Sequence, residues 1–119
     1  VPYRAFEAKD GWIVVAVGSA AQWNKFCSLS ELEERTERSN NAGRIEHREE
    51  IEANIQDWIQ HHSRKDLEAM LAGIPCAPIN TVSEALADPQ SEARGALLTE
   101  NEVTTLASPL RFMDVQNND

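Results

Sequence analysis

The sequence has few basic residues relative to acidic ones. It contains 11 Lys and Arg against 20 Asp and Glu, which gives a formal net charge of −9 over 119 residues. Nucleic acids are bound through clusters of Lys and Arg that contact phosphate groups. We therefore expect no nucleic-acid partner, and solubility is the simpler explanation of the acidic surface.

Long hydrophobic runs are also missing. The longest, Trp12–Val17, has the length of a β-strand, whereas a helix that spans a bilayer needs about 20 apolar residues. No basic-then-apolar leader opens the chain. We therefore expect a cytoplasmic protein with no membrane partner. Because the first residue is Val1 and not methionine, we also expect the chain to be processed or cut from a longer one.

Cysteine is scarce, with only Cys27 and Cys76. Two cysteines can form at most one disulfide, and this number is typical of a reduced cytosolic protein with buried thiols. Neither cysteine has a histidine close to it in the sequence. A buried structural thiol is therefore favoured over a catalytic nucleophile at each position.

The three histidines do not form a metal-binding pattern. His61 and His62 are neighbours on a predicted helix, so their side chains diverge by about 100°. His47 precedes them by about 21 Å along that helix, and no cysteine stands at ligand spacing to any of the three. We predict no metal site.

Sequence signals of common active sites are absent as well. The chain contains neither a G-x-S-x-G motif nor a glycine-rich phosphate loop. The acidic runs Glu31–Glu37 and Glu46–Glu52 are interleaved with arginines and are explained as solvated helix faces. Trp12, Trp23 and Trp58 fit core anchors better than platforms on which a ligand stacks. From residue types and motifs alone, no residue is predicted to be catalytic.

The sequence does contain clear strand and helix patterns. Tyr3–Ala8 alternates weakly, Trp12–Val17 is apolar throughout, and Lys9-Asp10-Gly11 is a turn sequence, so a hairpin is predicted. A strand that is apolar on both faces is usually central and covered on both sides, or on one side and partly on the other. Ser19 is the predicted N-cap of a helix from Ala20 to about Leu29.

The middle of the chain is predicted to be helical. Ser28–Asn41 is polar and predicts a short surface helix and loop. Ala42–His62 has apolar residues, Ile45 among them, at three- and four-residue steps, which predicts one long amphipathic helix. Ser63 is the predicted N-cap of the next helix, with Asp66 as its capping-box partner, and this helix ends at Gly73.

The last third is rich in proline and glycine. Pro75 and Pro78 disfavour helix in the residues before them, so residues 74–80 are predicted to be extended. Thr81 and Glu84 predict a capping box, and Pro89 begins a further helical turn that runs to Gly95. Two strands follow at residues 96–99 and 105–112, with a turn at Asn101-Glu102 and a frayed tail at residues 116–119.

These elements predict an α+β fold. A small, mostly antiparallel sheet of about four strands would come from both ends of the chain, with the intervening helices packed on it. The length suits one core, and we predict a single domain over residues 1–119.

Several short motifs follow one another in a characteristic order along the whole chain. They are Tyr3-Arg4, the run from Lys9 to Gly18, Gln22-Trp23, Phe26-Cys27, Asn41-Ala42, Arg44, Arg48-Glu49-Glu50, the run from Gly73 to Asn80, Asp88-Pro89-Gln90, Ala93-Arg94-Gly95 and Ser108-Pro109-Leu110-Arg111. In order and spacing they resemble the family III CoA-transferases, the family of formyl-CoA, carnitine and bile-acid CoA-transferases. Racemase-like relatives tend to have an acidic residue where this chain has Ser19-Ala20-Ala21, which favours a transferase.

The resemblance implies a larger enzyme than this chain. Family members have two domains and interlocked subunits, and the aspartate nucleophile and most CoA contacts belong to the larger, N-terminal part. This chain corresponds to the smaller domain. Asp10 and Asp88 match turn residues and not the nucleophile. The resemblance thus implies a CoA thioester as substrate of the full enzyme, no cofactor bound by this chain, and the large domain as its partner.

Two hypotheses follow. In the first, the chain is the small domain of a CoA-transferase, inactive alone, that closes over the active site with Ser19, Gln22 and Trp23 facing acyl substrate and Tyr3 near the entry. Separation from the large domain would expose apolar surface, so we expect self-association. In the second, the chain is a stand-alone, non-catalytic binding or interaction module that reuses this domain.

Overall fold

The computed structural model describes residues 1–110 and divides the chain into two compact units, Val1–Ile79 and a second unit that begins at Asn80. The first unit contains β1 (Tyr3–Ala8), β2 (Gly11–Ala16), α1 (Ala20–Ser30), a short 3-10 helix (Thr36–Arg38), α2 (Asn41–Glu46), α3 (Arg48–Ile59), α4 (Arg64–Met70) and β3 (Cys76–Pro78). The second contains α5 (Val82–Leu86), α6 (Pro89–Ala93), β4 (Leu97–Glu100) and β5 (Val103–Leu106). The predicted α+β class is confirmed. That residues 1–119 form one domain stays a prediction.

The predicted N-terminal hairpin is confirmed. β1 and β2 are antiparallel, with Tyr3 opposite Ala16 and Ala8 opposite Gly11. Gly11 has a φ of +142°, which a residue with a Cβ rarely adopts. Asp10 joins this turn to α4, because its Oδ1 accepts a hydrogen bond of 2.7 Å from the Arg64 N–H. The hairpin is thereby tied to the helical layer.

The arrangement of the strands differs from the predicted single sheet. β1, β2 and β3 form one sheet in that order, and β4 and β5 form a separate two-stranded sheet. The segment held extended by its two prolines pairs with β2, through the Ala16 N–H to the Pro75 carbonyl at 2.9 Å and the Ile79 N–H to the Trp12 carbonyl at 2.8 Å. Proline has no backbone N–H to donate. Pro78 suits this edge strand because its nitrogen faces away from β2, where no hydrogen bond is required.

The C-terminal hairpin is shorter than predicted. Asn101 and Glu102 have φ values of 49° and 66°, a two-residue turn that places Val103 opposite Glu100. The second strand therefore begins at Val103 and ends at Leu106, not at Phe112. Residues 111 and 112 and the predicted frayed tail lie outside the described residues.

The helices of the second unit begin where the capping box and Pro89 predict, and the cap of α6 at Asp88 is an addition. Thr81 and Glu84 form the capping box in both directions, at 3.2 and 2.7 Å. Asp88 caps α6 by accepting the Gln90 N–H at 2.8 Å, and Pro89 occupies the first turn. Gly95 follows with a φ of +62°. Local chemistry alone explains these boundaries.

One face of the three-stranded sheet, its inner face, carries the core of the first unit. Its buried apolar side chains come from β1 and β2, from the helices and from residues next to these elements: Phe6, Ala8, Ile13, Val15, Val17, Trp23, Phe26, Cys27, Ile51, Ile55, Ile59, Leu67, Leu71 and Ile74. Each buried Ile, Leu or Phe stabilises the fold by roughly 1.5–3 kcal/mol. The core anchors Trp23 and Trp58 are confirmed. Trp12 differs, since it points away from the core and is 46% exposed.

The predicted long helix is interrupted at His47, which has φ −100° and ψ 23° and separates α2 from α3. As a result Ile45, expected in the core, is 50% exposed, and Arg44 is buried in its place. The Arg44 Nε donates to the Val1 carbonyl at 3.1 Å and its Nη1 to the Arg38 carbonyl at 3.0 Å. Apolar periodicity could not reveal this, because it counts arginine as a solvent-facing residue.

The predicted polar surface segment before α2 is also partly buried. Arg38 is buried in the 3-10 helix, and its Nη2 lies 2.7 Å from the Glu50 Oε1. This bond to Arg38 is the main reason that the pKa of Glu50 is lowered. Gly43 lets α2 approach the 3-10 helix, because a Cβ there would overlap the Glu37 carbonyl oxygen.

Within residues 1–110, no helix is both long and apolar enough to cross a membrane.

Replacement of Gly43 should therefore destabilise the first unit. We expect Gly43→Ala to lower the free energy of unfolding by about 1–3 kcal/mol, because backbone atoms must move to relieve the overlap. Urea denaturation followed by circular dichroism measures this. The matched control is Gly18→Ala, whose Cβ would lie 3.6 Å from the Gln22 Oε1 and should cost no more than about 0.5 kcal/mol. Equal effects of the two variants would contradict the explanation.

Cys27 should be almost unreactive in the folded chain. Burial raises the pKa of its thiol from 9.0 to about 11, with a further contribution from Glu34. At pH 8 this lowers the thiolate fraction, and hence the rate of reaction with a disulfide reagent, by about 100-fold. A Cys76→Ser variant isolates the reaction of Cys27. The reaction rate of Cys27 should rise about tenfold per pH unit up to pH 11. In urea at pH 8 it should reach the rate of an ordinary, unburied thiol. If Cys27 reacts at the same rate at pH 8 with and without urea, the burial of its thiol is refuted.

Candidate functional site

The predicted substrate-facing residues surround the junction between β2 and α1. The strand ends at Ala16, and the Val17 N–H still donates to the Pro2 carbonyl at 2.8 Å, which extends the pairing with the N-terminal segment. Ser19 is extended, with φ −134° and ψ 163°, and α1 begins at Ala20. The junction is therefore a sharp strand-to-helix turn fixed on both sides by backbone hydrogen bonds.

Ser19 and Gln22 are brought together by the cap of α1. The Ser19 Oγ accepts the Gln22 N–H at 3.2 Å, and the Gln22 Oε1 accepts the Gly18 N–H at 2.8 Å. The arrangement differs from a capping box only in its return bond, which goes to Gly18, one residue before the cap. The S-x-x-Q pattern contained this signal, but only Ser19 was predicted as a cap. This structural role is sufficient to explain the glutamine at position 22.

Trp23 and Tyr3 lie on opposite sides of the sheet. Trp23 is buried and stacked on Phe26, with the ring centroids 6.1 Å apart, and the Arg44 guanidinium lies 5.4 Å above its ring. The Trp23 Nε1 has no hydrogen-bond partner among the described residues. Tyr3 is 78% exposed on the other face, opposite Ala16.

The four predicted residues thus form no single surface. Ser19 is exposed, Gln22 is half-buried and Trp23 is inaccessible from solvent in this chain. Contact of any of them with an acyl substrate stays a prediction. The first turn of α1 contains no acidic side chain, so its end carries the partial positive charge of a helix N-terminus.

The side chains that could act as nucleophiles are two cysteines and two aspartates, and each lies in surroundings that favour a structural role. Burial raises the pKa of Cys76 as it does that of Cys27, and repulsion from Glu68 adds to the effect at Cys76. Asp10 lies in the predicted hairpin turn and accepts the Arg64 N–H, whereas Asp88 is the N-cap of α6 and accepts the Gln90 N–H. Within the described part of the chain, no group of three or more His, Cys, Asp or Glu is placed to hold a metal ion.

Comparison with known proteins gives one family. The model of CoA-transferase family III matches residues 1–118. The chain is 28% identical to succinyl-CoA:mesaconate CoA-transferase of Haloarcula marismortui, over 95% of this chain and 31% of that protein. It is 29% identical to the human succinyl-CoA:glutarate CoA-transferase, over 82% of this chain and 24% of that protein.

Solved structures show the same fold. A CAIB/BAIF family protein from Brucella suis superposes with a TM-score of 0.89 at 34% identity, over 96% of this chain and 32% of that one. The chain therefore spans between about a quarter and a third of the length of these relatives. A match over nearly every residue, in sequence and in fold, establishes that this chain belongs to CoA-transferase family III.

Proposed function

We propose that this chain is the small domain of an enzyme that transfers CoA from an acyl-CoA to a carboxylic acid. The observation that carries the proposal is the family match over residues 1–118. The reaction breaks one thioester and forms another, so the acyl donor leaves as a free acid and no external energy source is needed. The names of the matched relatives each specify succinyl-CoA and a second dicarboxylic acid, which favours dicarboxylates as substrates.

We further propose that the chain alone is catalytically inactive. The covalent route implied by the family resemblance needs a carboxylate that attacks the thioester carbonyl and releases the CoA thiolate. In this chain Asp10 accepts the Arg64 N–H and Asp88 caps α6, and the raised pKa values of Cys27 and Cys76 oppose nucleophilic attack. The short span of the chain relative to its relatives supports a nucleophile in the remaining polypeptide.

In the whole enzyme, the junction of β2 and α1 would face the acyl group. The exposed Ser19 hydroxyl and the uncharged first turn of α1 suit the free carboxylate of a dicarboxylic acyl group, which a helix N-terminus attracts. No cofactor is needed for this role, and the CoA thioester is a substrate. The remaining large domain would be the partner.

Transfer of CoA should require the large domain. A chimera would carry residues 1–118 in place of the matching part of the human succinyl-CoA:glutarate CoA-transferase. With succinyl-CoA and glutarate, we expect glutaryl-CoA from the chimera, and from the chain alone a rate lower than that of the human enzyme by at least about 10³-fold, because the nucleophile is missing. Mass spectrometry of the CoA esters measures both rates.

Each outcome of this experiment has a clear meaning. Catalytic turnover by the chain alone would refute its inactivity. A chimera that folds, by circular dichroism and native mass, but transfers CoA to no dicarboxylate would refute the transferase role and favour a non-catalytic module.

Self-association is expected of the isolated chain. Tyr3, Leu106 and Leu110 are each at least 70% exposed, and large exposed apolar side chains promote association. Light scattering should show an average mass that rises above 13.3 kDa with concentration. A constant monomer mass at high concentration would contradict this expectation.

A further inference from the structure

The sheet of the first unit is covered by helices on its inner face. α3 packs against β1, and α4 packs against β2 and β3. The strand residues that point toward these helices, such as Phe6, Ile13 and Val15, are almost completely buried.

The opposite face of this sheet is apolar. Strand alternation places Tyr3, Ala5, Trp12, Val14 and Ala77 on this outer face, with Ile79 directly after β3. The pairing aligns Ala5, Val14 and Ala77 in one row across the three strands. The large side chains on either side of this row are exposed: Tyr3 at 78%, Trp12 at 46% and Ile79 at 47%.

The composition of β2 does not fit a strand with one face in water. Such a strand alternates between apolar and polar residues, whereas a strand covered on both faces is apolar throughout. From Trp12 to Ala16 every residue of β2 is apolar. Among the outward strand residues only Glu7, at the edge, is charged. The outer face therefore has the chemistry of a buried layer while its large side chains remain accessible.

We propose that the remaining polypeptide of the family-length CoA-transferase packs on this outer face with an apolar surface of its own. The inference rests on the proposed function. It identifies the docking surface, which the family match does not. The length of the relatives favours this occupant over a second copy of the chain: the chain covers only 24–32% of them, so each long chain includes ample residues to cover the face.

Oxidative footprinting tests the proposal directly. The dilute chain and the chimera described above would be exposed to hydroxyl radicals and the products quantified by mass spectrometry. We expect the oxidation of Trp12 and Tyr3 to fall by at least about tenfold in the chimera, because the packed layer excludes solvent. Ile45, which is 50% exposed on α2, is the internal control and should change by less than about twofold.

A pair of matched variants gives a second measurement. Ala77→Glu places a carboxylate at the outer face, and Ala53→Glu places one at an exposed position of α3. Both should leave the stability of the isolated chain within about 0.5 kcal/mol of the parent. In the chimera, Ala77→Glu should lower the yield of correctly assembled enzyme by about tenfold or more, because the carboxylate would be buried unpaired. Ala53→Glu should have little effect.

The failures of the two proposals can be told apart. A chimera that transfers CoA while Trp12 and Tyr3 oxidise as fast as in the isolated chain would overturn the docking surface and leave the proposed function intact. Protection of both residues in a folded chimera that transfers nothing would support the docking surface against the proposed function. Protection that appears in the chimera only at high concentration and is lost on dilution would assign the face to a second copy and overturn the proposal.

Discussion

The pairing of β2 on both of its edges is the constraint on which the first unit depends. β1 reaches it through a short turn, and β3 returns to it from residue 75 onward after four α-helices and the 3-10 helix. Between these two pairings the chain must close a long loop, and the entropic cost of that closure must be met by apolar burial. The buried isoleucines of α3 and the leucines at α4 supply this burial against the inner face of the sheet.

A second constraint holds the helical segments between β2 and α3 to the chain entry. The buried Arg44 guanidinium donates to carbonyl groups of Val1 and Arg38 and lies over the Trp23 ring. One side chain thus links the chain entry, the 3-10 helix, α2 and α1. Burial lowers the pKa of Arg44, but an arginine stays charged in proteins, so the cost of its desolvation is offset by carbonyl bonds and the aromatic face.

Both constraints bear on function through what they leave exposed. The helices occupy one face of the sheet, and the strand composition on the other face fits contact with protein. A chain that is similar in fold to about a third of a longer protein would be expected to have such a face. The β2–α1 junction lies where the strand leaves this sheet, so the proposed substrate-facing turn and the proposed docking surface are continuous along β2.

The sequence by itself determined the features that depend on neighbouring residues. The hairpin turn at Asp10-Gly11, the caps at Ser19, Ser63 and Thr81, and the extended proline segment are local effects, because each is set by a few consecutive side chains. The ordered motifs also identified the family. The sequence did not determine which strand the extended proline segment pairs with, because a strand pattern does not specify its partner.

Only the tertiary structure decided which residues meet over long separations. It placed β3 beside β2, split the predicted helix at His47, buried Arg44 instead of Ile45, and left Trp12 on the outer face instead of in the core. The physical reason is that partner choice and the burial of a charged group depend on the sum of distant contacts. A pattern of apolar spacing records only the neighbours along the chain.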